Sequence, residues 1–180
     1  MSKFLLHTCC APCGAQVIRE LRDQGFEVTC FFYNPNIFPY QEYLIRKNEI
    51  RGYLDKLGVA VIESPYEIKK WFQAAKGLES EPERGRRCQV CYRLRLEETA
   101  RQAVQNGYTF FGSTLSISPH KDAVSINMIG EEVAHQYGVN FLPADWKKKD
   151  GYKKSCQIAR DENFYRQHYC GCIYSKNVEC

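Results

Sequence analysis

Three groups of closely spaced cysteines are the residues of this chain most able to do chemistry. The groups are Cys9, Cys10 and Cys13; Cys88 and Cys91; and Cys170 and Cys172. The remaining three cysteines, Cys30, Cys156 and Cys180, are isolated in the sequence. Clustered thiolates bind metal ions or iron–sulfur clusters, and a pair of thiols can be oxidised reversibly to a disulfide.

Stabilising disulfides are a poor explanation for ten cysteines in this chain. With 180 residues, of which 44% are hydrophobic, the chain can bury a core without covalent crosslinks. The opening residues MSKFLLHTCC lack a secretory apolar segment, and no stretch approaches the roughly 18 apolar residues of a membrane span. We therefore expect a cytoplasmic protein without a membrane partner, in which cysteines serve metal binding or catalysis.

The first two groups together suggest a metal centre. Four thiolates suit either a tetrahedral zinc ion or an iron–sulfur cluster. The adjacent pair Cys9 and Cys10 favours a cluster, because neighbouring side chains are expected to diverge too far for one ion. Zinc and a metal-free redox dithiol remain open on spacing alone.

The YCGC segment at residues 169–172 is a different arrangement. Oxidation of Cys170 and Cys172 closes a very small ring, and strained disulfides are easily reduced. Gly171 gives the backbone freedom to close that ring. The segment therefore predicts a redox-active pair, with two further metal ligands as the alternative.

A repeated pattern of helix, glycine and strand positions these cysteines. Four glycines each follow an amphipathic run and precede a β-rich one; they are Gly25, Gly58, Gly107 and Gly138. With KFLLHT at the start, the pattern predicts five parallel strands with helices on both faces, a Rossmann-like doubly wound sheet. We expect one α/β domain over 1–180, whose residues 143–180 form a basic, aromatic C-terminal extension carrying the CxC pair. Residues 69–87 are expected to be irregular.

The first two cysteine groups fall on the same edge of this predicted sheet. Cys9 and Cys10 follow the first strand, and Cys13 begins the next helix. Cys88 and Cys91 begin a helix that leads into the fourth strand, so its N-terminus lies at the carboxyl edge, where such sheets bind ligands. The segment CCAPCG occupies the place where ATP-binding relatives of this fold carry a glycine-rich phosphate loop.

A polar segment, STLSISPHKD at residues 113–122, follows the fourth strand at that edge. It supplies Ser118 and Lys121 as substrate-binding residues, and His120 as a proton donor because its ordinary pKa is near neutrality. The structural alternative is a helix over 119–137 with Ser118 as its cap and Pro119 as its first residue.

The positive charge of the chain is concentrated near its C-terminus. Residues 146–180 contain eight Lys or Arg and four acids, an excess equal to the whole-chain net charge of +4. Aromatic residues lie among them, as expected of a surface that grips nucleic acid, although a solvated surface is the simpler alternative. The lysines of interest are Lys147, Lys148, Lys149, Lys153 and Lys154.

Taken together, these motifs resemble the cobalamin-independent epoxyqueuosine reductases. The resemblance is carried by LLHTCCAPC, YNPNIFP, RCQVCYRLRL, FGSTLSISPHKD, DWKKKDGYKKS and YRQHYCGCIYS, in order from residue 5 to about 175. It implies an adenine-nucleotide α-hydrolase-like fold and reduction of epoxyqueuosine to queuosine at the tRNA wobble position. The partners it implies are a tRNA bearing epoxyqueuosine in its anticodon loop and an electron donor that the sequence does not identify.

The same resemblance implies roles for particular cysteines. A [4Fe–4S] cluster would be held by Cys9, Cys10, Cys88 and Cys91. The pair Cys170 and Cys172 would be redox-active. A further iron near the cluster has Cys13 as a candidate ligand.

Two other functions remain as alternatives. One is a cluster-containing tRNA thiolation enzyme, which needs ATP and hence the phosphate loop that this chain lacks. The other is a non-catalytic zinc-binding RNA module, which the YCGC pair disfavours.

Overall fold

A computed structural model describes residues 1–176 of the chain. Within these residues five parallel strands form one sheet, as the glycine pattern predicted, and their order is β3-β2-β1-β4-β5. Their bounds are β1 Lys3–His7, β2 Glu27–Phe32, β3 Val61–Glu63, β4 Phe110–Ser113 and β5 Asn140–Phe141. Cys180 lies outside the described residues, so its predicted isolation is not addressed by the structure.

Residues 1–176 contain six α-helices: α1 Ala11–Asp23, α2 Tyr40–Leu57, α3 Ile68–Ala75, α4 Arg86–Gln105, α5 Ala123–Tyr137 and α6 Gly151–Asp161. All of them except α3 contribute to the core clusters on the two faces of the sheet, and α3 packs against α4. Short 3-10 helices occupy Leu115–Ile117 and Ile173–Ser175. None of these described helices is both long enough and apolar enough to cross a membrane.

The alternation of side chains along β1 builds a core on each side of the sheet. Phe4 and Leu6 point into a cluster with residues of α1, α2 and α6, whereas Leu5 points into a cluster with residues of α4 and α5. All three side chains are fully buried. β1 is therefore the rigid centre from which the following residues, Thr8 to Cys10, emerge.

The strand order creates a switch point beside the first cysteine group. The chain moves outward from β1 to β2 and β3, and then returns to the other side of β1 to form β4. Ligands in such sheets bind at the carboxyl ends of the strands where this reversal occurs. The loops after β1 and β4 meet there, and the Thr114 amide donates to the carbonyl of His7 at 3.0 Å.

Two local predictions about helices are wrong. Part of residues 69–87 is helical and belongs to α3. Trp71 and Ala75 lie one turn apart there, which puts both on the buried face of that helix. The helix expected over 119–137 begins only at Ala123 and is capped by Asp122, whose carboxylate accepts from the amides of two residues in the first turn. Ser118 instead accepts from the amide of His120 at 3.2 Å within a turn.

Candidate active site

The sulfur atoms of Cys9, Cys10 and Cys13 converge into a triad at the switch point. All three lie within 4.8 Å of one another, and those of Cys9 and Cys10 are 3.7 Å apart. Two sulfurs each about 2.3 Å from one tetrahedral metal would be about 3.8 Å apart. The prediction that the adjacent pair diverges is therefore wrong, and its spacing alone does not exclude a single ion.

The backbone explains this convergence. Cys10 is the N-cap of α1 and has an extended conformation, with φ −168° and ψ 166°. Cys13 lies three residues further on, in the first turn of α1, so its side chain can point back toward the helix start. An extended cap followed by a helical turn thus brings three consecutive thiols together.

The triad is asymmetric in its protonation. The Cys9 pKa lies well below its ordinary value because Cys10 and Cys13 hydrogen-bond to its sulfur, and this outweighs burial. Buried Arg95 lowers it further. The Cys13 pKa lies well above its ordinary value, because its hydrogen bond to Cys10 favours the protonated form. Cys9 is thus the thiolate of the group, which is the protonation state that metal ligation requires.

His7 braces the triad from beneath. Its ring is fully buried, with Nε2 3.0 Å from the carbonyl of Tyr33 and Nδ1 2.9 Å from Oγ of Ser113. A carbonyl only accepts, so Nε2 carries the proton and Nδ1 accepts from the serine hydroxyl. Burial, assisted by Arg95, lowers the pKa of His7 to about 4, so the ring is neutral at pH 7. This neutral ring at the end of β1 thus links the end of β4 to the residue that follows β2, two positions before Cys9.

A second group of four thiols surrounds a small cavity. The cavity has a volume of about 20 Å³, and the thiols lining it are Cys88, Cys91, Cys170 and Cys172. Cys88 and Cys91 lie in the first two turns of α4, as predicted, and the backbone amide of Arg84 donates to the Cys88 sulfur at 3.3 Å. The structure thus brings the CxxC and CxC motifs together.

The two thiol groups are neighbours, yet they remain distinct among residues 1–176. Among the described residues, the triad is the only set of at least three metal-ligating side chains whose ligand atoms all lie within 4.8 Å of one another. Neither Cys88 nor Cys91 belongs to it. Arg95 links the groups electrostatically: burial raises the pKa of Cys91 and the charge of Arg95 partly offsets this, and the same charge helps to lower the pKa of Cys9. The four predicted cluster ligands are therefore divided between two groups at one edge of the sheet.

The CxC pair also has two different thiols. Burial alone would raise the pKa of Cys170, but the charge of Lys121 and hydrogen bonds from Ser175 and the Cys172 backbone bring it below its ordinary value. Burial and the neighbouring Cys170 raise the pKa of Cys172 to about 12. The Sγ of Cys170 lies 3.0 Å from Oγ of Ser175.

Lys121 differs from the other predicted substrate-binding residues in being buried. It lines the four-thiol cavity and forms an ion pair with Glu83 at 3.2 Å. Ser118 is half-buried and His120 is exposed, both in the turn before α5. The backbone carbonyls of Pro119 and His120 accept from the guanidinium of Arg84, which fixes this turn beside α4.

The predicted basic residues of the extension lie in the loop before α6 and in its first turn. Lys147 is half-buried, donates to the carbonyls of Ser116 and Lys121, and pairs with Asp145 at 2.8 Å. The exposed members are Lys148, Lys149, Lys153 and Lys154. Tyr152 is 41% exposed in the same turn of α6. The loop thus anchors one lysine and presents the others to solvent.

Three residues of the site were not predicted from the sequence. Arg46 and Arg95 are almost completely buried, and Gln167 donates through Nε2 to the Cys10 sulfur at 3.1 Å. Helical spacing offers a signal for the arginines, since Arg46 follows Glu42 by four residues and Arg95 follows Cys91 by four. Gln167 has no such signal, because it lies 157 positions from Cys10.

The side chains around the four-thiol cavity are suited to an anionic, acceptor-rich group. Trp71, Arg87 and Tyr92 line the cavity, and each has a buried nitrogen or oxygen without a hydrogen-bond partner among the described residues. All three atoms can donate. Arg95 and Lys121 add positive charge at the same cavity. A thiolate-ligated metal group would supply the missing negative charge and acceptors.

Known proteins similar in sequence cover nearly the whole chain. Residues 4–178 match the family described as "Epoxyqueuosine reductase QueH". Proteins of that name from Histophilus somni and Thermotoga maritima are 44% and 35% identical, each over 97% of this chain and over 72% and 91% of their own lengths. The protein of that name from Acinetobacter baylyi is 42% identical over 96% of this chain and 80% of its own length.

Solved structures with the same fold come from tRNA-modifying systems. A U34-tRNA thiolase, NcsA from Methanococcus maripaludis with its [4Fe–4S] cluster, has a TM-score of 0.56 at 13% identity, over 96% of this chain and 61% of its own. A predicted tRNA methyltransferase subunit from Methanocaldococcus jannaschii has a TM-score of 0.53 at 16% identity, over 88% and 76%. At such identities the likeness concerns the fold, and it confirms the predicted α/β class.

Identity of 35–44% over nearly the whole of this chain, to several proteins of one name, is stronger evidence for a family than a shared fold is. The match spans all three cysteine groups and the loops between them. This chain belongs to the epoxyqueuosine reductase QueH family.

Proposed function

We propose that this protein reduces epoxyqueuosine to queuosine at the wobble position of tRNA. The observation that carries the proposal is the family match over residues 4–178, which includes every cysteine that the structure gathers at the switch point. The nine described cysteines are all unpaired thiols, which fits a reducing compartment such as the cytoplasm.

The reaction removes one oxygen atom and needs two electrons and two protons. Both carbon–oxygen bonds of the epoxide break, a carbon–carbon double bond forms, and the oxygen leaves as water. If Cys170 and Cys172 supply the electrons, their two thiols become one disulfide and release two protons, so the atoms and electrons balance. An external electron donor must then reduce that disulfide before the next turnover.

We propose Cys9, Cys10, Cys88 and Cys91 as ligands of a [4Fe–4S] cluster, with Cys13 available to a further iron. When bound, such a centre would pass electrons singly and polarise the epoxide oxygen as a Lewis acid. The low pKa of Cys9 supports ligation, and the unpaired charge of Arg95 would offset the negative charge of a thiolate-ligated centre. His7 and Thr114 would fix Cys9 from below, with Thr114 Oγ1 3.8 Å from its sulfur.

The CxC pair is suited to hold the two electrons. It shares a cavity with Cys88 and Cys91, which brings the dithiol beside two proposed ligands. Lys121 supports this role, because its positive charge lowers the pKa of Cys170 and so favours the thiolate. We propose that Lys121 and Ser118 contact the substrate, and that His120 in the exposed turn donates a proton.

The tRNA would be bound by the basic loop before α6. An anticodon loop offers phosphates and unstacked bases, which suit exposed lysines together with an exposed tyrosine. Lys148, Lys149 and Lys153 are exposed and can contact phosphates, although Lys148 also lies 4.0 Å from Asp145, whereas Lys147 orients the loop through its carbonyl contacts. Tyr152 is available for stacking.

The test is mass spectrometry of nucleosides from tRNA treated with the protein. Oxygen-free protein, a strong reductant and tRNA containing epoxyqueuosine should yield queuosine, lighter by one oxygen atom. A Cys9→Ser variant should give none, whereas the matched Cys156→Ser variant, which alters a thiol outside both groups, should remain active. No loss of oxygen with iron-loaded protein would exclude the proposed function.

Metal and sulfide analysis separates the two alternative functions. Brown protein with about four iron and four sulfide per chain fits the proposal, whereas colourless protein with one zinc and no sulfide favours an RNA-binding module. A thiolation enzyme would instead require ATP and add sulfur to the tRNA.

A further inference from the structure

Residues 165–175, which we call the C-terminal strap, carry the CxC pair back across the carboxyl edge of the sheet. The strap is fastened to the loop after β2, because the amide of Phe38 donates to the Gly171 carbonyl at 2.9 Å. It also touches the triad directly, through the hydrogen bond from Gln167 to the Cys10 sulfur at 3.1 Å. The position of the strap therefore sets where Cys170 and Cys172 lie relative to both thiol groups.

Arg46 of α2 makes two hydrogen bonds to the centre of this strap. Its Nη1 donates to the carbonyl of Cys170 at 3.1 Å, and its Nη2 donates to the carbonyl of Tyr169 at 3.0 Å. Its Nε donates to Glu42 at 2.7 Å. The guanidinium also lies 5.5 Å from the centre of the Tyr169 ring, whose hydroxyl donates to the Phe38 carbonyl. Arg46 is only 1% exposed, so these partners and not water offset the cost of burying its charge.

Gly171 permits this close approach. A Cβ atom at that position would lie 2.9 Å from Ile37 and 3.2 Å from Nη1 of Arg46. Its φ of +105° is also a conformation that favours glycine. The glycine between the two cysteines therefore lets the strap backbone sit directly on the arginine.

Arg46 also faces the triad electrostatically. Burial disfavours its charge, but the neighbouring Cys10 and Cys9 and the paired Glu42 more than offset this, so that its pKa is raised. The same side chain thus interacts electrostatically with the triad and by hydrogen bonds with the backbone of the CxC pair.

We propose that Arg46 is a positioning residue that fixes the Cys170–Cys172 pair at the four-thiol cavity it shares with Cys88 and Cys91. A planar guanidinium can hold two adjacent carbonyls and a carboxylate at once, whereas a lysine ammonium cannot reproduce that fork. The proposal deepens the proposed function and rests on it only for the redox role of the pair; the placement of the strap is independent of it.

The test is alkylation of individual cysteines in reduced, metal-free protein, followed by peptide mass spectrometry. The central variant is the double change Glu42→Gln and Arg46→Met, which removes the fork without leaving a buried Glu42 carboxylate that has only the Tyr165 hydroxyl as its partner. The matched controls are Glu42→Gln alone, which keeps an oxygen that can accept from Tyr165, and Arg51→Met on the exposed face of the same helix. Cys30 is fully buried in β2 and reports global unfolding in every sample.

We expect the double variant to label Cys170 and Cys172 about tenfold faster than the wild-type protein, because the strap opens locally when its charged donor is lost. Cys30 should stay protected, and both controls should label at the wild-type rate. Hydrogen exchange should quicken in strap peptides by a similar factor and not in β1.

Unchanged labelling and exchange of the strap, with Cys30 protected, would overturn the proposal. If the double variant unfolds and exposes Cys30, the Arg46→Lys variant is tested in its place. Severalfold faster labelling of the CxC pair in that variant supports the role of the guanidinium, and labelling at the wild-type rate overturns the proposal. Because labelling needs neither tRNA nor iron, a negative result here leaves the proposed reductase activity standing.

Discussion

Replacing Arg95 with methionine should change the stability of the metal-free protein modestly and should weaken metal binding. Arg95 is 4% exposed, and its polar partners are the Asn34 side chain at 3.3 Å and the Cys91 carbonyl at 3.4 Å. Both contacts are long, and no carboxylate among residues 1–176 pairs with it. Burial disfavours its charge, and the nearby thiols of Cys91, Cys9 and Cys170 offset that cost.

Two opposing effects set the expected stability change of the metal-free protein. Substituting a buried ion by an apolar side chain of similar volume is neutral or stabilises by about 1–4 kcal/mol. Leaving the Asn34 oxygen without its donor costs about 1–3 kcal/mol. We therefore expect the free energy of unfolding to stay within about 3 kcal/mol of the wild-type value.

The iron-loaded protein should lose its metal more readily, because its centre would then lack a balancing charge. Loss of a supporting residue typically weakens metal binding by about 10–100-fold. The assays are urea unfolding of metal-free protein, and iron and sulfide per chain after challenge with a chelator. Arg86→Met, at the exposed start of the same helix, is the matched control. A loss of more than about 3 kcal/mol without metal, together with wild-type iron retention, would refute this account of the buried charges.

Three further predictions follow from the site and its supports. The double change Cys170→Ser and Cys172→Ser should keep iron and sulfide but abolish multiple turnover in the nucleoside assay, and full turnover would exclude the dithiol role. Changing Lys148, Lys149 and Lys153 to glutamine should flatten the salt dependence of tRNA binding by about 2 in the log–log slope; an unaltered slope would mean that these lysines only contact solvent. Asp122→Ala should destabilise the protein by about 1 kcal/mol at pH 7, measured by urea unfolding. Hydrogen bonds from Ser125 and from the first-turn amides lower the pKa of Asp122, so its contribution is present above its ordinary pKa of 3.8 and is lost as pH falls through the lowered value; a difference that persists in acid would contradict this.

The fold was predictable because local signals agreed along the chain. Gly58 and Gly138 end α2 and α5 in the left-handed conformation, and each is followed by a β-rich run, which makes the alternation readable. The strand order was not readable, because the return of the chain from β3 to the far side of β1 leaves no local signal. That return is what places Cys9 at a switch point.

The candidate site was only partly predictable. The carboxyl-edge location of Cys9 and Cys88 follows from strand and helix order, whereas the convergence of Cys13 with the adjacent pair depends on the extended backbone of Cys10. The meeting of Cys170 with Cys88 depends on a strap that crosses the sheet over a long sequence separation. Such contacts follow from tertiary packing and carry no periodicity in the sequence.

The start of α5 illustrates a competition between two helix signals. Ser118 and Pro119 look like a cap and a first helical residue, and Asp122 provides a second possible cap. The contacts of Arg84 with the carbonyls of Pro119 and His120 hold that segment as a turn, so the helix begins after Asp122. Local preference was overruled by a residue from another element.

The most direct test is a single turnover in which the tRNA and the protein are analysed in the same quenched sample. Pre-reduced, iron-loaded protein is freed of reductant without oxygen and mixed in excess with tRNA containing epoxyqueuosine. We expect the nucleoside to lose one oxygen atom and the peptide bearing Cys170 and Cys172 to lose two hydrogens in equal amounts. An unchanged nucleoside mass would contradict the assignment of this protein as the reductase, and queuosine formed without oxidation of that peptide would contradict the role of the CxC pair.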